Sequence, residues 1–170
     1  MLILIRHAEK AYPNGKGSEN DKKHDPPLTK EGMESCLIKS KQLIESFGAP
    51  DMIICSPYQR CRQTANFLNL NNLGIKVESG VAEYLGNHKE SKLDITEETS
   101  LHPINHPETW RQFQTRIINY SKVIRKLDPN KIIWVITHGV VIQTLCKLMK
   151  SEYKKRNYEY LDFEIMKPFN

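Results

Sequence analysis

Leu2-Ile3-Leu4-Ile5-Arg6-His7 near the start, and Lys131-Ile132-Ile133-Trp134-Val135-Ile136-Thr137-His138-Gly139 far downstream, decide the fold. Each is an apolar run without polar alternation, the pattern of a strand buried on both faces of a parallel sheet. Each ends abruptly in an imidazole. Working outward, Asp51 to Cys55 is a second apolar strand and Ile75 to Val77 a short third one. Helical stretches separate them. One runs from Thr29 to Gly48, with Glu31 and Glu34 favouring its N-terminal turns and Leu37, Leu43, Ile44 and Phe47 set to line one face. Pro57 opens a helix over Tyr58 to Leu70, and Asn71, Asn72 and Gly74 turn the chain. Pro107 opens a long helix to about Leu127, with Pro129 beyond it. Gly139 to Met149 follows the strongest strand. Tyr158 to Met166 alternates with period two and reads as an edge or hairpin strand with one wet face. Lys10 to Lys23 reads as a surface loop, and Tyr84 to Pro107 as an irregular, lid-like insertion. Strand alternating with helix predicts a three-layer α/β/α domain, a mostly parallel sheet with helices on both faces. One domain over 1–170 is expected.

The chain has 170 residues, 39% hydrophobic and 26% charged. That composition is globular, and a chain this long buries about 70% of its unfolded surface without staples. Cys36, Cys55, Cys61 and Cys146 form no CxxC pair and lie in regular segments, so they read as reduced thiols of a cytoplasmic protein. No apolar run reaches the ~18 residues of a membrane span. The net charge of +5 favours an anionic partner, without choosing among phosphoester, nucleic acid and membrane face.

The strand ends carry the chemistry. Ligands of such sheets bind where the carboxyl ends of strands meet. Arg6-His7 ends the first strand, Ser56-Pro57 the second with Arg60 just beyond, Glu83 follows the third, and His138-Gly139 ends the strongest. Arginine forks match phosphoryl oxygens. A neutral imidazole is a nucleophile, and a carboxylic acid can protonate a leaving alcohol. The helix starts after Pro57 and Gly139 offer further N–H groups to an anion. These are the parts of a metal-free phosphomonoesterase.

The same residues carry a family resemblance. LIRHAEK at 4–10 resembles the strand-end signature of the histidine phosphatase superfamily, the phosphoglycerate mutase-like fold. DPPLTKEG at 25–32, SPYQRCRQTA at 56–65, VESGVAEYLG at 77–86 and VITHGVVIQTL at 135–145 resemble its later blocks in order. The resemblance implies that His7 is the phosphohistidine nucleophile. It implies that Arg6, Arg60 and His138 grip the phosphoryl group, with Ser56 beside the pocket. Gly139 stands where the phytase-like branch has an aspartate donor, so Glu83 takes the acid–base role. VESGVAEYL is similar to the branch of Sts-type protein tyrosine phosphatases and ecdysteroid-phosphate phosphatases. Ala8 replaces the glycine common after the nucleophile. Pro13 stands where mutases of the family carry asparagine, which disfavours a glycolytic mutase.

The expected ligand is therefore a phosphorylated small molecule or phosphoprotein, with no metal, no organic cofactor and no membrane partner. A homodimer is compatible with the sequence. The competing readings are an inactive phospho-ligand binder and a nucleic-acid-binding module. The intact set Arg6, His7, Arg60, Glu83 and His138 speaks against the first. The lack of a stacking pattern beside the basic residues at 147–156 speaks against the second. Arg62 falls on the helix face opposite Arg60 and reads as a surface residue. Glu9 reads as serving structure or pocket electrostatics, and Glu78 and Glu90 are the carboxylates most easily mistaken for Glu83. Cys61 reads as a buried thiol, with a lowered pKa beside Arg60 as the alternative. His24, His88, His102 and His106 read as exposed.

Overall fold

The strands are β1 (Leu2–Arg6), β2 (Met52–Cys55), β3 (Ile75–Val77), β4 (Ile133–Thr137) and β5 (Phe163–Met166), joined in one sheet of order β3-β2-β4-β1-β5. The computed structural model describes residues 1–11, 25–84, 86, 108–149 and 156–166. Most of the loop expected over 10–23, most of the insertion over 84–107, the four histidines His24, His88, His102 and His106, Glu90 and most of the basic stretch 147–156 lie outside them.

The apolar runs that read as strands are buried for the expected reason. β1 and β4 pair in parallel at the centre, and β4 pairs in parallel with β2. Their alternate residues serve two cores. Leu2, Leu4, Ile133 and Val135 face helices α3 (Trp110–Ile124) and α4 (Gly139–Met149), in a core with Phe113, Ile117 and Leu145. Ile3, Ile5, Trp134 and Ile136 face helices α1 (Lys30–Phe47) and α2 (Gln59–Leu68), with Leu43, Cys61 and Leu68. Both faces are covered, which is the three-layer arrangement predicted. Register places Arg6 beside Thr137 and Cys55 beside Ile136. Two hydrogen bonds continue the ladder past the strand ends, from His7 N to Thr137 O (2.9 Å) and from Ser56 N to Ile136 O (3.0 Å). His7, Ser56 and His138 therefore emerge side by side at one edge.

Helix boundaries follow their caps. Thr29 Oγ1 accepts from Gly32 N at 2.9 Å and starts α1. Gly48, at φ 90, ends it in a conformation that favours glycine. The lining of α1 differs from expectation. Cys36, Ser40 and Leu43 are buried, while Leu37 is 42% exposed. Leu37 sits ~100° around the helix from Cys36, off the buried stripe. α3 spans Trp110–Ile124, shorter at both ends than the expected run from Pro107 to Leu127. The reason is a capping box. Thr109 Oγ1 accepts from Gln112 N (3.2 Å) and Gln112 Oε1 from Thr109 N (2.8 Å), so the start is fixed at Thr109.

The predicted C-terminal strand is also shorter. β5 covers only Phe163–Met166, antiparallel to β1. Upstream of it, Leu161 adopts φ 59 and turns the chain, so Tyr158 and Leu161 are both buried despite their opposite phases. This turn allows Asp162 O to accept from Arg6 N at 2.9 Å. No helix among the described residues is long and apolar enough to cross a membrane.

Candidate active site

His7 is 2% exposed. Its Nδ1 lies 2.8 Å from the Ala8 carbonyl oxygen. A carbonyl only accepts, so Nδ1 carries the proton and the lone pair sits on Nε2. Burial first, then His138, Arg60 and Arg6, hold the imidazole well below its usual value of 6.5; the Ala8 bond opposes them only in part. His7 is thus neutral at physiological pH, in a tautomer with a free basic nitrogen.

His138 is fully buried, its ring centroid 5.3 Å from that of His7. Ser56 Oγ lies 2.8 Å from Nε2, and Glu83 Oε2 3.1 Å from Nδ1. Burial lowers the His138 pKa to about 4, Arg60 in the same direction and Glu83 against it. Burial alone would raise Glu83, but His138, Arg60 and Lys10 together hold it below 4.5. At neutral pH the pair is therefore carboxylate and neutral imidazole. Nδ1–H donates to Glu83, and Nε2 accepts from the Ser56 hydroxyl.

Arg60 joins these groups. Its Nη2 is 3.2 Å from His138 Nδ1 and 3.7 Å from Glu83 Oε2, and its guanidinium lies 4.4 Å from the Tyr58 ring centroid. Arg6 approaches from β1. Its Nη1 donates to Tyr158 O, its guanidinium stands 4.7 Å from the Tyr160 ring centroid, and its buried Nε has no hydrogen-bond partner among the described residues. The structure thus brings together all six residues singled out from sequence: Arg6, His7, Ser56, Arg60, Glu83 and His138. Glu78, the nearby competitor to Glu83, is buried in an ion pair with Lys76 Nζ at 2.7 Å. Glu9 joins the start of α1, its carboxylate accepting from Thr29 Oγ1 at 3.3 Å. Its carbonyl accepts from Thr29 N at 3.0 Å, and a Cβ on Gly32 would come within 2.4 Å of that oxygen.

Three contributors were not assigned from sequence. Asp25 accepts from Gln59 N with both oxygens at 2.8 Å and faces Arg60 Nη1 at 3.3 Å. It caps α2 from a distance, and the detectable signal is that Tyr58, the N-cap residue, supplies no side-chain bond. Of the N–H groups expected at this helix start, Gln59 N is already taken by Asp25. Thr64 Oγ1 accepts from Ala8 N (3.0 Å) and donates to Arg60 O (2.7 Å), tying the chain just after His7 to α2. Tyr160, 5.7 Å from the His7 ring centroid, forms a wall with no sequence signal. Lys10 makes no hydrogen bond or ion pair among the described residues, yet burial, Arg60 and Arg6 lower its pKa while Glu83 opposes them. It adds positive charge at the pocket.

The four cysteines are free and buried. Burial raises Cys61 well above its usual value even beside Arg60, so a lowered thiol pKa is overturned. Arg62 is exposed. Ligand atoms of His7, Glu83 and His138 lie within 4.8 Å of one another, a donor set a cation could use. Arg60 occupies the side of His138 Nδ1 that such a cation would need, and Arg6 and Lys10 add charge of the same sign. The arrangement suits an anion.

Comparison with known proteins agrees. The sequence profile of the histidine phosphatase superfamily (branch 1) matches residues 2–164. An uncharacterized phosphoglycerate mutase family protein of Acanthamoeba polyphaga mimivirus is 31% identical over 139 residues, 76% of this chain and 67% of its own. Phosphoglycerate mutase from Bacillus anthracis shares the fold at TM-score 0.70 and 19% identity, over 95% of this chain and 85% of that one. The ecdysone phosphate phosphatase of the silkworm, Bombyx mori, solved with tungstate, aligns at TM-score 0.65 and 16% identity, over 95% and 86%.

Proposed function

Because the chain belongs to the histidine phosphatase superfamily, whose members compared above are phosphatases and mutases, we propose that it hydrolyses phosphomonoesters through a phosphohistidine at His7, without a metal. The observation that carries this reading is the His7 tautomer. Nδ1–H is anchored on Ala8 O, which leaves the lone pair on Nε2 of a neutral ring whose centroid lies 5.3 Å from that of His138.

The phosphoryl group enters between Arg6, Arg60 and His138. In doing so it takes over the partners that Glu83 holds in the free site, His138 Nδ1 and Arg60 Nη2. Glu83 then loses the groups that keep its pKa down, burial dominates, and the carboxyl takes up a proton. His7 Nε2 attacks phosphorus as the bond to the leaving oxygen breaks, and Glu83 passes its proton to that oxygen. Water then attacks the phosphohistidine and gives a proton to Glu83, the N–P bond breaks, and phosphate and neutral His7 return. Guanidinium charge does the work of neutralising the phosphoryl oxygens. The substrate class is a phosphorylated small molecule or a phosphotyrosine protein.

The test is turnover of p-nitrophenyl phosphate in excess EDTA, wild type against His7→Ala, with quenched samples assayed for acid-labile, base-stable protein phosphate. Turnover and trapped phosphate that both disappear in the variant are expected. A folded wild type without turnover between pH 5 and 8 refutes the reading.

A further inference from the structure

Glu83 sits at the end of a short 3₁₀ turn, Ser79–Val81, and has no regular element of its own to aim it. What holds the turn is a buried arginine on another layer. Arg116 of α3 donates from Nη1 to three carbonyls of this segment, Ser79 O (3.0 Å), Gly80 O (3.3 Å) and Ala82 O (3.1 Å). The remaining donors are taken by Glu108, Nε to Oε1 at 2.8 Å and Nη2 to Oε2 at 2.7 Å. Both residues are buried, at 7% and 3% exposure. Two more fasteners act on the same turn: Thr137 Oγ1 donates to Val81 O at 2.6 Å, and Glu78 N donates to Cys55 O at 2.8 Å.

We propose that Arg116, braced by Glu108, is a positioning residue that delivers the Glu83 carboxyl to the leaving-group oxygen. The proposal rests on the phosphatase reading above. Burying a guanidinium and a carboxylate is costly, and apolar packing would join α3 to the sheet as well or better. What apolar packing lacks is direction. The planar fork fixes the carbonyls of the residues just before Glu83, while its other edge is locked by a bidentate carboxylate. A displacement of ~1 Å at a proton-transfer site can cost on the order of 100-fold in rate.

The experiment uses two substrates and a reference variant. p-Nitrophenyl phosphate releases a stable anion that needs no proton, whereas a simple alkyl phosphate releases an alcohol that does. Glu83→Gln marks the full effect of losing the acid, a roughly 10²–10⁴-fold larger loss of kcat/KM on the alkyl ester than on the aryl ester. Arg116→Lys keeps a cation for Glu108 but loses the fork. It is expected to lose roughly 10- to 100-fold on the alkyl ester and under about 3-fold on the aryl ester, and to add almost nothing in the Glu83→Gln background. Glu108→Gln, which spares the fold if Arg116→Lys does not, should show the same selectivity at smaller size. Equal losses on both esters, or lower stability without selectivity, overturn the clamp and leave Arg116 as a fastener. A Glu83→Gln variant without selectivity overturns the acid assignment itself, and the clamp falls with it.

Discussion

Protonation of His138 should destabilise this protein, and the size of the effect follows from its burial. The imidazole is held at about 4 in the fold, against 6.5 ordinarily. A lowered folded-state pKa means the unfolded chain binds the proton more readily. The stability is complete above 6.5 and is lost as pH falls through 6.5 towards 4. At ~1.4 kcal/mol per unit, the whole loss is about 3 kcal/mol, and about 2 kcal/mol of it has gone by pH 5. His7, also lowered by burial, adds to the fall in the same direction. Glu83, held below 4.5, contributes only at still lower pH. The assay is urea unfolding at pH 7.5 and 5.0, wild type against His138→Asn, in buffer free of phosphate, since a bound anion would stabilise the imidazolium. The wild type should lose about 2 kcal/mol more than the variant between the two pH values, or roughly 4–8 °C more in Tm. Equal losses in the two proteins would show that His138 keeps an ordinary pKa, and the neutral-imidazole picture of the site would be wrong.

Other consequences can be checked in the same preparations. A Cβ on Gly80 would lie 2.3 Å from Tyr120 Cδ2, and that ring is buried. Gly80→Ala should therefore cost about 1–3 kcal/mol in urea unfolding and depress alkyl-phosphate turnover by shifting the turn that leads to Glu83. Lys10→Met removes a cation near Arg6 and Arg60. KM for p-nitrophenyl phosphate should rise about 5-fold at low salt, and the difference should shrink in ~1 M salt; a salt-independent change would point to lost shape instead. Asp25→Ala uncaps α2 and releases Arg60. A loss of about 0.5–2 kcal/mol in stability is expected, with KM rising as well; an unchanged Tm would remove Asp25 from the helix.

What the sequence made legible was short in range. Apolar runs such as Leu2 to Ile5 and Ile133 to Thr137 announce buried strands, because burial on both faces abolishes alternation. Once those strands are parallel, the residues just after them must share an edge, so Arg6, His7, Ser56 and His138 were predictable as neighbours. Thr29 and Gly48 mark their helix ends through bonds within four residues. The failures are long in range or depend on competition. Leu161 departs from the period-two reading because Arg6 claims the Tyr158 and Asp162 carbonyls from the other end of the chain. The helix expected from Pro107 starts instead at Thr109, where the Thr109–Gln112 box fixes it.

The same distinction explains why Arg60 was legible in the sequence while its partner Asp25 was not, and why neither Arg116 nor Glu108 was. Arg60 and Arg116 differ in role, but each is buried, and each is turned by a carboxylate that no local pattern ties to it. Asp25 precedes Arg60 by a long stretch of chain, and Glu108 precedes Arg116 by two turns of a helix it does not belong to. A buried guanidinium must find an anion or remain charged and alone, at a cost of several kcal/mol. The sequence therefore implies that partners exist without saying which. Only the packed fold shows that Asp25 takes one edge of Arg60, leaving Nη2 toward His138 and Glu83, whereas Glu108 takes one edge of Arg116 and directs Nη1 onto the turn. In both, the carboxylate takes one edge of the arginine and so decides what the other edge meets: His138 and Glu83 for Arg60, and the carbonyls of the turn before Glu83 for Arg116.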